Sequence, residues 1–80
     1  MLNMKLTKTE KRTIENELVI TINQYPNGID TRVLIDKVMN SIANAIPNAN
    51  RHHVAGMLAW VWSNYNFTFL VRTSGYSVIA

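Results

Sequence analysis

The fold is decided by residues 48–80, which read NANRHHVAGMLAWVWSNYNFTFLVRTSGYSVIA. Apolar residues recur every three or four positions through the first half of this stretch, which is the spacing of an amphipathic helix. Asn64-Tyr65-Asn66 interrupts the pattern, and two β-rich runs follow on either side of Thr73-Ser74-Gly75-Tyr76. A serine-glycine loop between such runs is a hairpin signal, because glycine accepts positive φ. The stretch therefore predicts a helix that leads directly into a β-hairpin.

The helix in this stretch, capped by Asn48 or Asn50, has two distinct faces. At 100° per residue the core face carries Val54, Met57, Leu58, Val61 and Tyr65. The opposite face carries His52, Gly56, Ala59, Trp60 and Ser63, with His53 at its edge. Trp62 lies on the flank of the core face, so of the two tryptophans it is the better candidate for burial.

The hairpin register depends on which residues form its turn. If Ser74 and Gly75 are a two-residue turn, Val71 opposes Val78 and Leu70 opposes Ile79 on the other face. Both faces of the ribbon then carry aliphatic pairs. One face would cover the helices, and the other would stay exposed unless something packs against it.

Two further helices are predicted ahead of this stretch. Thr7 and Glu10 have the spacing of a capping box, and an apolar stripe follows to Tyr25, so the first helix should run from about Lys8 to Gln24. The run from Leu18 to Ile22 is rich enough in β-branched residues that a strand stays open as an alternative. Pro26-Asn27-Gly28 ends this element.

The second helix begins after Asp30 or Thr31, either of which can cap it. Leu34, Val38 and Ile42 lie at i, i+4 and i+8 and predict its core-facing stripe. Ile46-Pro47-Asn48 ends it, because proline disfavours α conformation at the residue before it and cannot donate to the helix itself.

Composition indicates one small soluble domain. The chain has 80 residues, of which 48% are hydrophobic and 16% charged, and it contains no cysteine. A domain of this size buries only about 60% of its unfolded surface, so a partner subunit is the expected supplement to its core. Apolar runs stay well below the ~18 residues of a membrane span, which predicts a cytoplasmic protein with no membrane association.

The sequence contains no pattern of residues typical of a catalytic site or a metal site. His52 and His53 are adjacent, so on a helix their side chains point about 100° apart, and no thiolate is present to complete a zinc site. No nucleophile or carboxylate is placed to work with either histidine. We expect no enzyme activity, no metal, no cofactor and no small-molecule substrate.

The positive charge is concentrated at one end of the chain. Lys5, Lys8, Lys11 and Arg12 against Glu10 give residues 1–12 the whole of the formal net charge of +3. Such a segment is either a solvated tail or a phosphate-tracking element, for which Lys8 and Lys11 are the candidates.

The order of helix, helix, helix and hairpin resembles the winged helix-turn-helix superfamily over nearly the whole chain. The resemblance implies a mainly α fold with a C-terminal β-hairpin, in the order α-α-α-β-β, with a possible short strand near Ile29. Residues 1–6 would be an N-terminal arm and residues 7–80 a single winged-helix domain.

In that superfamily the third helix usually enters the major groove of double-stranded DNA, and the wing tip lies along the phosphates or in the minor groove. Carried over by position, the reading helix begins with Asn50, Arg51, His52 and His53, and the wing tip presents Arg72, Thr73 and Ser74. Asparagine can read adenine and arginine guanine, and Thr31 and Arg32 can assist a phosphate at the start of the second helix. The resemblance thus implies a DNA-binding protein. Its compactness favours a transcriptional regulator of bacterial or phage type, and we expect it to act as a dimer.

An alternative keeps the fold and makes it a protein-interaction or dimerisation module, of accessory or inhibitor type, with no direct DNA binding. The exposed face of the third helix is short of charge and carries an interface candidate formed by Gly56, Ala59, Trp60 and Ser63. Small residues admit close approach, and an exposed tryptophan is a common anchor of protein interfaces.

Overall fold

The computed structural model describes residues 5–65 in full and the backbone of residues 68–72 and 75–79. The elements in these ranges are α1 (Lys8–Asn23), β1 (Ile29–Asp30), α2 (Thr31–Ile42), α3 (Arg51–Asn64), β2 (Thr68–Arg72) and β3 (Gly75–Ile79). The fold of the described residues is mainly α, as predicted, and the short strand expected near Ile29 is present. Residues 18–22 are helical, which excludes the strand alternative for that run.

The start of α1 is the capping box that the sequence predicts. The hydroxyl of Thr7 accepts a 3.1 Å hydrogen bond from the amide of Glu10, and the Glu10 carboxylate accepts a 2.9 Å bond from the amide of Thr7. The helix ends at Asn23, and Gly28 then turns the chain with a φ of 98°, a conformation that favours glycine.

The other two helices are capped by side chains among the expected candidates. Asp30 caps α2, since its carboxylate accepts a 2.8 Å hydrogen bond from the amide of Arg32. Asn50 caps α3 in the same manner through the amide of His53. Each cap satisfies a backbone donor that the first turn of a helix leaves without a partner.

One hydrophobic core forms where the apolar stripes of the three helices meet. Its fully buried side chains are Ile14, Leu18 and Ile22 from α1, Leu34, Val38 and Ile42 from α2, and Val54 and Val61 from α3. Burial of each such side chain is worth about 1.5–3 kcal/mol before conformational entropy is counted. Leu6, expected in the N-terminal arm, belongs to this core with only 9% of its surface exposed.

The predictions for the aromatic residues of α3 are wrong in two places. Trp62 is 53% exposed, nearly the same as Trp60 at 52%, because α3 buries only the narrow stripe of Val54, Leu58 and Val61. Tyr65, placed on the core face by helical spacing, is 36% exposed. It lies beyond the last helical residue in an extended conformation, so the 100° rule no longer applies to it.

The strands form an antiparallel sheet in the order β1-β3-β2. Arg72 pairs with Gly75 and Val71 with Tyr76, so the expected turn at Ser74-Gly75 and the expected Val71–Val78 pairing are wrong. The central strand also pairs with β1, where Val78 opposes the buried Ile29. The prediction that one face of the hairpin is exposed concerns side chains outside the described residues.

None of the helices in the described ranges combines the length and the apolar character that a bilayer crossing requires.

Candidate functional site

An open groove of about 660 Å³ separates the first half of α1 from the exposed side of α3. Lys8, Lys11, Arg12 and Glu15 line it from α1. Their positions at i, i+3, i+4 and i+7 place them on one stripe of that helix. His52, His53, Gly56, Met57 and Trp60 line it from α3, and Leu6 lines it from the segment before α1. The groove is the candidate site because residues from both predicted functional sets meet in it.

Folding brings the positive charge of the N-terminal segment beside α3. Lys8, Lys11 and Arg12 are all exposed, and they face a groove whose opposite wall is α3. In sequence these cations form a basic end, about 40 residues from the third helix. Packing of α1 against α3 converts that end into one wall of a basic face.

The interior of the groove is mainly apolar. Leu6 is buried, Met57 is half-buried, and Trp60 leaves half of its large side chain in solvent. Gly56 lies one helical turn before Trp60 on α3, and a Cβ added there would meet no heavy atom within 4 Å. The groove therefore combines an apolar floor with room for an inserted group.

Among the described residues, Glu15 is the one carboxylate that lines the groove, and it is engaged with the residue that follows α3. The hydroxyl of Tyr65 donates a 2.7 Å hydrogen bond to the Glu15 carboxylate. This bond, with smaller contributions from desolvation and from the charge of Glu15, raises the pKa of Tyr65 above its ordinary value.

Two residues predicted to read bases are used by the fold instead. The side-chain oxygen of Asn50 accepts a 3.0 Å hydrogen bond from the amide of His53. In return Nδ1 of His53 accepts a 3.1 Å bond from the amide of Asn50, so the two residues form a reciprocal capping box. The side-chain oxygen of Asn50 and Nδ1 of His53 therefore already accept hydrogen bonds from the first turn of α3.

Arg51 is likewise engaged within the protein. Its guanidinium donates a hydrogen bond to the carboxylate of Asp36 on α2, and both side chains are more than half exposed. Exposed ion pairs of this kind contribute about 0–1 kcal/mol, so a stronger acceptor can displace Asp36. His52, the fourth predicted residue, is exposed and lines the groove.

The start of α2 holds the remaining described candidates for phosphate contact. Thr31 is its first residue and is half-buried, whereas Arg32 is exposed with its Nε 3.6 Å from the Asp30 carboxylate. Neither residue is among the groove-lining side chains of the described chain. For the predicted wing contacts, only the backbone of Arg72 is described, in β2, and Thr73 and Ser74 lie outside the described residues.

The predicted interface residues divide into two pairs. Gly56 and Trp60 line the groove, while Ala59 and Ser63 are exposed on the neighbouring side of α3. The hydroxyl of Ser63 donates a 3.1 Å hydrogen bond to the carbonyl of Ala59 within the helix. Of the three small residues Gly56, Ala59 and Ser63, the groove therefore includes Gly56 alone, together with Trp60.

Sequence reasoning missed Arg12, Glu15, Leu6 and Met57 as site residues. Arg12 had a detectable signal, because it follows Lys8 and Lys11 at helical spacing on the same face. Leu6 and Met57 had none, since a single leucine before a helix and a methionine beside a core stripe are typical of ordinary packing.

Among the described residues no group of three histidine, aspartate, glutamate or cysteine side chains is placed to hold a metal ion. No known protein family matches the chain, and no curated protein or solved structure is significantly similar to it.

Proposed function

We propose that this chain is a winged helix-turn-helix protein that binds double-stranded DNA and acts as a transcriptional regulator of bacterial or phage type. The observation that carries the proposal is the position of Lys8, Lys11 and Arg12 beside the exposed side of α3. A DNA-binding domain needs a basic face, and here the cations of α1 flank α3, the helix that would enter the major groove of DNA. The order of elements, with β1 paired to the hairpin, supports the winged-helix assignment.

The proposed contacts differ from those expected by position alone. Lys8, Lys11 and Arg12 supply phosphate contacts, and His52 is the exposed α3 residue that can reach a base edge. Arg51 joins them after exchanging the Asp36 carboxylate for phosphate or guanine, because arginine binds both acceptors through two parallel hydrogen bonds. Asn50 contributes mainly by holding the first turn of α3 in place.

Salt-dependent binding to a mixed-sequence duplex tests the proposal. With about 4–6 phosphates contacted, the logarithm of the affinity should fall with the logarithm of salt concentration at a slope near −4 to −5. Lys11→Glu should weaken binding about tenfold and make the slope shallower by about 1.

Lys37→Glu is the matched control, since it makes the same charge change at an exposed α2 residue whose ammonium lies 5.7 Å from the centre of the Tyr25 ring. Equal losses in the two variants would show that only net charge matters. Absence of binding at ~50 mM salt would remove the proposed function, because electrostatic binding is strongest at low salt.

A second candidate function, self-association or binding of another protein, is favoured by the two tryptophans of α3. Trp60 and Trp62 are each half exposed, and the large apolar area they leave in water is typical of interface anchors. Sedimentation of the wild type against Trp60→Ala and Trp62→Ala tests self-association. A concentration-dependent dimer that either variant dissociates supports it, whereas a monomer in all three proteins eliminates it.

A further inference from the structure

We propose that the groove between α1 and α3 binds a short amphipathic helix of a partner protein, with apolar residues toward the floor and acidic residues toward α1. The inference concerns a peptide ligand and does not rest on DNA binding.

The dimensions of the groove match about two turns of a helix. His52 and Trp60 are eight residues apart in α3, which corresponds to about 12 Å along the helix axis. Lys8 and Glu15 on the opposite wall are seven residues apart and span about 10 Å. A ligand helix lying in the groove would contact both walls along this length.

The floor provides the contacts that an apolar helix face requires. Leu6 and Met57 form its aliphatic part, and the exposed half of Trp60 stands at one end. Gly56 leaves an opening at the level of the α3 backbone, where a partner side chain can enter. Helices that dock into grooves use anchors at i, i+3 or i+4, and i+7, so three apolar residues over two turns fit this floor.

The charge of the walls selects the flanking residues of the partner. Lys8, Lys11 and Arg12 follow one another along the α1 wall, and the carboxylate of Glu15 beside them accepts the hydrogen bond from Tyr65. Aspartate or glutamate on the side of the ligand facing α1 would complement these cations, whereas lysine or arginine there would meet like charges. The groove therefore favours an acidic ligand over a basic one.

A single-stranded nucleic acid is the competing acidic ligand, and the floor disfavours it. Non-specific single-strand sites stack successive bases on several aromatic side chains along a charged track. In the described part of the groove, Trp60 is the one large aromatic side chain, and Leu6 and Met57 would face polar sugars and phosphates. An amphipathic peptide buries apolar side chains against the same floor and places its charges at the rim.

Selection from a random 12-residue peptide library on the full chain tests the proposal. The enriched sequences should combine apolar residues at i, i+3 or i+4, and i+7 with aspartate or glutamate. A synthetic peptide of that sequence should bind wild type and Trp62→Ala alike, and Trp60→Ala at least tenfold more weakly. The two tryptophans are equally exposed on one helix, but only Trp60 is among the groove-lining residues of the described chain, so the pair is a matched control.

A second variant keeps the test informative if Trp60→Ala folds poorly. Gly56→Gln adds a side chain where the structure leaves open space, and it should lower the affinity for the peptide at least tenfold while circular dichroism stays unchanged. Replacing the acidic residues of the peptide with lysine should abolish binding.

Three results would overturn the inference: no enrichment, enrichment of basic peptides, or equal losses in the two tryptophan variants. Displacement of the peptide by a dT12 oligonucleotide that binds more tightly would overturn it in favour of a single strand. Duplex DNA titrated in parallel separates the two proposals. Peptide binding without duplex binding removes the proposed function alone, and duplex binding without peptide binding removes this inference alone.

Discussion

The hydroxyl of Tyr65 donates a 2.7 Å hydrogen bond to the carboxylate of Glu15, 50 residues earlier in the chain. The bond joins the end of α3 to the middle of α1 at one end of the groove. It also keeps a carboxylate beside Lys8, Lys11 and Arg12 engaged with a donor from the residue that follows α3. The bond therefore ties the residue after α3 to α1, while the shared core sets how the two helices pack.

Replacing Glu15 with glutamine should lower the pKa of Tyr65 toward its ordinary value of 10.0, because it removes the carboxylate acceptor and its charge. A group whose pKa is raised by folding adds stability below its unfolded pKa and loses it as the pH rises through the folded value. Wild-type stability should therefore decline above about pH 10, and the part of this decline due to Tyr65 should shrink in Glu15→Gln. Tyrosinate absorbance, with Tyr65→Phe to assign the signal, measures the shift. An unchanged titration in Glu15→Gln would contradict the assigned cause.

Loss of the α3 capping box should destabilise the whole domain. Asn50→Ala removes the acceptor for the amide of His53 and should cost about 1 kcal/mol in urea unfolding. His53→Gln should retain most of that stability, because glutamine at this position can accept the hydrogen bond from the Asn50 amide as His53 Nδ1 does. His53→Ala should not. Equal stability of His53→Gln and His53→Ala would show that the reciprocal bond contributes nothing.

Gly56→Ala should stabilise the protein by about 1 kcal/mol. Glycine within a helix leaves more conformational freedom in the unfolded chain than alanine does, and the added Cβ meets no neighbour in the structure. The urea midpoint should rise with an unchanged slope. Ala55→Gly, at an exposed position on the same helix, should shift the midpoint in the opposite direction. A lower midpoint in Gly56→Ala would mean that the groove wall is closer than described.

Leu34→Ala, a substitution in the core, should nearly unfold the domain, whereas Val33→Ala at the adjacent exposed position should not. Leu34 is fully buried between the helices, and Leu34→Ala should cost about 2–5 kcal/mol, comparable to the total stability of a domain this small. Val33→Ala removes methyl groups from an exposed position on the same helix and should change stability by no more than about 0.5 kcal/mol. Circular dichroism during urea unfolding distinguishes the two. Similar losses would mean that Val33 is covered by a second molecule.

Asp36→Asn should strengthen duplex binding without altering stability. The substitution releases the Arg51 guanidinium from its carboxylate partner and removes a negative charge beside α3. Because exposed pairs contribute at most about 1 kcal/mol, the unfolding midpoint should barely move. The affinity for duplex DNA should rise severalfold at low salt, and Arg51→Ala should cancel the gain. A gain that persists in the double variant would assign it to net charge rather than to Arg51.

Local elements were predictable because local chemistry specifies them. Thr7 with Glu10 indicated the start of α1, and it is present. For α2 and α3 the sequence left two cap candidates each, and the structure uses Asp30 and Asn50. The stripes of α1 and α2 followed helical spacing and are buried as expected. The errors were the burial of Trp62, which depends on how wide a stripe α3 buries, and the hairpin register, in which Val71 pairs with Tyr76 instead of Val78.

The sequence by itself determined the helices, their caps and the apolar stripes, because hydrogen bonds within a turn and the 3.6-residue period act over a few positions. It also set the number and sign of the charges at the N-terminal end. Only the tertiary structure decided that these charges lie opposite His52 and Trp60, and that Asn50, His53 and Arg51 are engaged within the protein. The physical reason is that burying three apolar stripes in one core fixes how the helices lie against one another, and the surfaces left outside that core meet as a consequence.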